Sequence, residues 1–180
     1  MIDASDRIGW KTHWRIDKFK SNQALETLLR AGAKIALAKS IFPEAFIGTV
    51  EWDGNVALNE GINNVIELVC GISTPTKWDN LSAYLGVGDS SASTSPSQTG
   101  LQAASNKTWK AMDATYPQRS NQTAEWRSTY GSSDANYAWE EYTVVNASDD
   151  TGQNLNRRIA SKGTKASGET WVLSLKITFA

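Results

Sequence analysis

The sequence predicts a mainly β protein: an antiparallel β-sandwich or barrel-like body with one packed helix, preceded by an N-terminal arm that contains a helix of its own. Three observations predict it. From residue 106 onward, five or six runs alternate apolar and polar residues with a period of two. The turns between them, among them SSDAN, ASDDTGQN and KGTKASGE, are polar and mostly Gly-containing, with no helical period in between. Within residues 51–180 a 3.6-residue period appears in one place, where Ile62, Val65, Ile66 and Val69 recur at i, i+3, i+4 and i+7. Residues 1–50 read as the arm and 51–180 as the body.

Taken in order, WKTHWRIDKF at 10–19 alternates irregularly and carries basic side chains, which fits a short edge strand or an extended arm. Residues 22–39 read as helix. Asn22 is placed as a cap, Glu26 falls early, and Lys34 and Lys39 fall late, all in line with the helix dipole. Ala31-Gly32-Ala33 weakens the middle, so one helix or two short ones are expected, closed by Pro43. Residues 46–56 read as a strand with a turn at Asp53-Gly54-Asn55.

The helix after Leu58 has Asn59 as its expected cap, Glu60 in its first turn and Gly71 placed for a left-handed residue beyond its last turn. Its apolar side chains are expected to pack on a sheet, with Asn63, Asn64 and Glu67 on the other face and Cys70 as a small buried residue. A polar turn follows, then a strand over 82–87 with Ala83, Leu85 and Val87 on one face. Gly86 and Gly88 do not make a dinucleotide loop, because a low-complexity polar segment, SSASTSPSQTG, follows where a helix is required.

Strands are then expected at 107–114, 123–130, 139–145, 155–161 and 171–179. The last is the clearest. Trp171, Leu173, Leu175, Ile177 and Phe179 face one way, and Val172, Ser174, Lys176 and Thr178 the other.

The net charge of −1 gives no general pull toward nucleic acid or an anionic membrane. Residues 1–50 hold eight Lys and Arg against five Asp and Glu, so the arm is mildly basic and the remainder mildly acidic. One Cys and one His cannot build an internal disulfide or a Cys/His zinc site. The N-terminus shows no apolar leader core and no run approaches a membrane span, so the chain is expected to be made and folded in a cytoplasm.

No catalytic constellation stands out, and no cofactor or metal is expected. Glu140 and Glu141 would point to opposite faces of a strand. Asp149-Asp150 lies in a turn without the ligand spacing of a calcium loop. Asp113 and Asp134 are isolated, and His13 has no neighbouring partner for a triad. Eight tryptophans spread along the chain suit strand-side packing, with stacking on sugars as the alternative use.

Four segments carry a resemblance: GNVALNEGINNVIELVCG, SAYLGVGDSSASTSPSQTGLQAASNK, KAMDATYPQRSNQTAEWRSTYGSSDANYAWEEYTVVNA and NLNRRIASKGTKASGETWVLSLKIT. Together they resemble a group of small virion-associated proteins of tailed phages, over roughly residues 50–180. The resemblance implies a structural role in the virion and no defined activity. Within that setting a sandwich with a basic arm suits a capsid cement or decoration protein on the outside of the head. Its expected partners are the major capsid protein and further copies of itself, a trimer being favoured. A tail or baseplate component and a carbohydrate-binding adsorption module are the alternatives. The arm's apolar residues Trp10, Trp14, Ile16, Phe19, Phe42 and Phe46 are the candidate interface anchors, since large apolar side chains laid on a neighbour add area and avidity.

Overall fold

The computed structural model describes residues 9–179. Among the described residues, ten strands form two antiparallel five-stranded sheets. Sheet A has the order β2-β1-β10-β7-β6, from β1 (Trp10–Lys20), β2 (Phe46–Asp53), β6 (Gln118–Ser120), β7 (Thr123–Tyr130) and β10 (Glu169–Phe179). Sheet B has the order β3-β9-β8-β4-β5, from β3 (Val56–Ala57), β4 (Tyr84–Gly88), β5 (Lys107–Ala111), β8 (Glu141–Val145) and β9 (Asn154–Ile159). Among the described residues, three α-helices and a 3-10 turn at Pro43–Ala45 complete the fold, the α-helices being α1 (Gln23–Arg30), α2 (Ile35–Ile41) and α3 (Asn59–Cys70).

The inward rows of the two sheets make the main core. Trp14 and Ile16 of β1 meet Leu85 and Val87 of β4, Tyr142 and Val144 of β8, and Trp171, Leu173, Leu175 and Ile177 of β10. The predicted inward row of β10 is therefore the core row from Trp171 to Ile177, while Phe179, expected in the same row, is exposed at the strand's end. Alternation along the strand expected at 139–145 would put Trp139 on the face opposite Tyr142, but it lies in the core beside it. It precedes β8, so the strand's alternation does not govern it.

The N-terminal segment is not an arm. β1 lies inside sheet A, paired with β10 from Trp10↔Phe179 to Lys20↔Glu169 and with β2 on its other side. Trp14, Ile16 and Phe19 have no exposed surface. The irregular pattern of 10–19 has a physical cause. One face of β1 enters the sandwich core, while on the other Phe19 packs with Leu25, Leu29, Ala38 and Val172 under α1 and α2. Both faces are thus partly apolar, and alternation fades. Trp10 is half-buried against the main core, and Phe42 and Phe46 are half-buried against the second cluster. Residues 1–8, the remainder of the expected arm, lie outside the described residues.

α1 and α2 are the two short helices that Gly32 separates, with φ at +89°. Asn22 caps α1 as expected, its side-chain oxygen accepting from Ala24 N at 2.9 Å and Leu25 N at 3.1 Å. Arg127 of β7 ties this pair to the sheet. Its guanidinium donates to Asp113 Oδ2 at 2.7 Å, to Leu29 O at 2.7 Å and to Ala33 O at 2.8 Å, so it satisfies carbonyls at the end of α1.

The polar segment after β4 is also anchored. Glu141, fully buried on the outer side of sheet B, accepts from Gln102 N at 2.9 Å and Ala103 N at 2.7 Å. Arg157, equally buried, donates to Glu141 Oε2 at 2.8 Å and to Ala92 O at 2.9 Å. Gly88 leaves the room this carboxylate needs, since a Cβ there would sit 2.4 Å from Glu141 Oε1. The low-complexity segment is thereby held across the outer face of sheet B.

Candidate protein-docking surface

The face that α3 buries is not the one its periodicity suggests. Gly61, Asn64, Val65 and Leu68, also spaced i, i+3, i+4 and i+7, form its inner side. Gly61 lets the helix press on β9, since a Cβ there would lie 2.5 Å from Leu155 Cα and 2.6 Å from Asn154 O. Asn64 is buried and donates to Thr76 O at 2.9 Å, and Val65 and Leu68 pack against the main core. Glu60 accepts from Asn154 N at 2.8 Å. Burial pushes its carboxyl above the usual range although that bond favours the charged form. The helix starts one residue after Leu58, whose side chain makes no cap bond, and Asn59 is its first residue rather than its cap. Gly71 takes the left-handed conformation expected of it, with φ at +65°.

Ile62, Ile66 and Val69 are consequently left facing out, 38%, 51% and 80% exposed, and Ile72 just beyond the helix is 60% exposed. Asn59, Asn63 and Cys70 flank the row and are exposed and uncharged. Cys70 is therefore not a small buried residue: it lies outside the arc that meets the sheet. The two acids of the helix, Glu60 and Glu67, lie on the side next to Asn64. The result is a neutral apolar row on a rigid element, the kind of patch that marks a protein contact.

A second apolar group is smaller. Leu37 and Ile41 of α2 and Ile47 of β2 are each about half exposed.

The residues weighed for chemistry all have structural partners. Asp113 is buried with Arg127 and accepts from Thr129 N and Oγ1. Asp134 bonds Lys110 at 2.7 Å. Burial raises the Asp134 carboxyl, and bonds from Lys110 and Gly131 N outweigh that and hold it below the ordinary range. Asp149 accepts from Thr151 within its turn. His13 lies half-exposed, 2.8 Å from Asp53 Oδ1. Glu140 and Glu141 do diverge, Glu141 engaging Arg157 and Glu140 engaging Ser161. Among the described residues no three His, Cys, Asp or Glu side chains are grouped so as to hold a metal ion.

A cleft of about 320 Å³ lies between α2 and the outer face of sheet A, lined by Arg15, Asp17, Lys39 and Arg127 among others. Its buried charges are spent on each other. Asp17 accepts from Arg15 at 2.6 Å and from Thr49 at 2.6 Å, and it lies 3.3 Å from Lys39.

The sugar-stacking use of the aromatics finds no platform. Among the described residues, no tryptophan or tyrosine is one of the exposed large apolar side chains, and Trp14, Trp139 and Trp171 are buried.

The six predicted anchor residues do not come together as a surface. Sequence reasoning placed the docking candidates in β1 and at Phe42 and Phe46, and missed Ile66, Val69 and Ile72 as exposed. The signal that could have found them is Gly61 with Asn64, a small and a hydrogen-bonding residue at helical spacing that let a backbone approach and a loop dock. No family model, no curated protein and no solved structure matches this chain.

Proposed function

We propose that this chain is a structural protein of a tailed-phage particle, of the capsid cement or decoration type, and that it binds the outside of the major capsid protein lattice through the outer face of α3. The observation that carries this reading is the uncharged apolar row Ile62, Ile66 and Val69 on a helix whose other side is fixed to the sandwich, extended by Ile72 just beyond the helix. The resemblance of residues 50–180 to virion-associated proteins supplies the setting.

The magnitudes favour a lattice partner. Full burial of an aliphatic side chain is worth about 1.5–3 kcal/mol, so four half-exposed ones contribute roughly half of that each. Such a row makes a weak contact by itself. Repetition over a lattice, with several contacts made together, converts weak contacts into stable occupancy.

Two measurements test the reading. Quantitative mass spectrometry of purified particles should give a copy number near that of the major capsid protein. A ratio in the low per cent range would instead assign the chain to the tail, and absence from the particle would overturn a virion role. Ile66→Asp should abolish occupancy on the particle while changing stability by less than about 1 kcal/mol, as expected of an exposed site. Undiminished occupancy by this variant would remove α3 as the docking face.

A further inference from the structure

We propose that β2 is the strand through which two copies of this chain join, antiparallel and edge to edge, so that sheet A continues across a two-fold axis as ten strands. This pairing does not rest on the virion reading, and it departs from the trimer that the resemblance favours.

Four strands end the two sheets, and three of them are blunted. β3 has two residues and β6 has three. β5 has five and carries Lys107 and Lys110. Short length and lysine are the usual protections of a sheet edge. β2 has eight residues, FIGTVEWD, with neither lysine nor proline. Its one irregularity is the register shift near Ile47, which leaves Gly48 to Asp53 regular against β1. Among the described residues, no main-chain hydrogen bond outside the β1–β2 ladder involves Ile47 to Asp53. The outer side of this edge is an open template for another strand.

The charges and shapes along the strand fit a second copy. Glu51 and Asp53 are its charged residues, and both are engaged from β1: Arg15 Nη1 lies 3.0 Å from Glu51 Oε1 and His13 Nδ1 lies 2.8 Å from Asp53 Oδ1. A two-fold axis through Val50 sets Val50 against its own copy, Glu51 against Thr49, and Trp52 against Gly48. No like charges then stand opposite each other. Around Gly48 nothing lies within 4 Å of where a Cβ would be, so a second strand can approach there without a clash while Trp52 keeps its packing on Trp14 and Tyr142. α2 is held beside this strand by Lys39, which donates to Thr49 Oγ1 at 3.3 Å, and it leaves Leu37 and Ile41 half exposed.

Sedimentation velocity of the full chain from low micromolar to submillimolar concentration tests the proposal, with a dimer as the expected species. Val50→Lys places like charges directly across the axis and should leave monomer at every concentration. Because Val50 is half-buried, a second variant guards against simple destabilisation. Val50→Cys in a Cys70→Ser background should oxidise to a disulfide-linked dimer, since opposed Cα atoms in an antiparallel pair lie about 4.5–5.5 Å apart, within disulfide reach. A chain that stays monomeric throughout, or a dimer that survives Val50→Lys and does not cross-link at position 50, would overturn the proposal.

Discussion

Replacing Glu141 by alanine is the sharpest test of how this fold holds its long polar segment. The carboxylate is fully buried, lies 2.7 Å from Arg157 Nη2, and accepts from the main chain at Gln102 and Ala103. Its removal strands a buried guanidinium and two backbone N–H groups at once. Breaking one side of a buried ion pair costs about 3–5 kcal/mol. For a domain of this size each kcal/mol lowers the melting temperature by about 2–4 °C, so a drop of roughly 6–20 °C is expected. Chemical denaturation gives the free energy, and limited digestion with a protease of broad specificity reports on residues 89–106. That segment should become the first site of cleavage in Glu141→Ala. Glu141→Met with Arg157→Met should recover only part of the loss, because it removes the unpaired buried charge but still leaves Gln102 N and Ala103 N without their acceptor. A cost below about 1 kcal/mol, or a segment as resistant as in the parent chain, would refute the view that this pair clamps it.

Two further outcomes follow from packing and charge. Gly61→Ala should lose about 1–3 kcal/mol in urea unfolding even though alanine favours helix, because its Cβ would meet β9 main chain. A variant as stable as the parent would show that α3 does not press on β9. For Asp17, burial raises the carboxyl's pKa, but Arg15, Thr49 and Lys39 outweigh burial and hold it below the ordinary value. The unfolded chain then takes up the proton first as pH falls. The stabilisation is present above about pH 4 and is lost below it as pH drops through the folded-state pKa. Asp17→Asn should lower stability at neutral pH and flatten the acid limb of a stability-against-pH curve, and an unchanged limb would refute the assignment.

Much of the sandwich was legible because its strands obey simple alternation. β7 and β10 each bury one row in the core, and Ala83, Leu85 and Val87 announce β4 in the same way. β1 was not legible as an interior strand because α1 and α2 make its second face apolar at Phe19. α3 was found as an element and misjudged in orientation. Periodicity locates an apolar face but does not say whether the body or a partner covers it, and here glycine and asparagine are what the body accepts. Buried ion pairs such as Glu141 with Arg157 join residues on different strands, and alternation along one strand does not show which strand lies beside it.

The pairing of the first strand with the last sets a condition on synthesis. β10 lies between β1 and β7, with Trp10 opposite Phe179 and Trp171 opposite Tyr130. Until residues 169–179 have been made, β1 has only β2 beside it, and a lone two-stranded hairpin is marginal in water. Sheet A cannot close until residues 169–179 have been made, and pairing between strands so far apart in sequence is slow in the manner of non-local β topologies. A product terminated before Glu169 would keep two adjacent raw edges, on β1 and β7, with Trp14 and Ile16 uncovered. Its fate is aggregation or degradation rather than a smaller working domain.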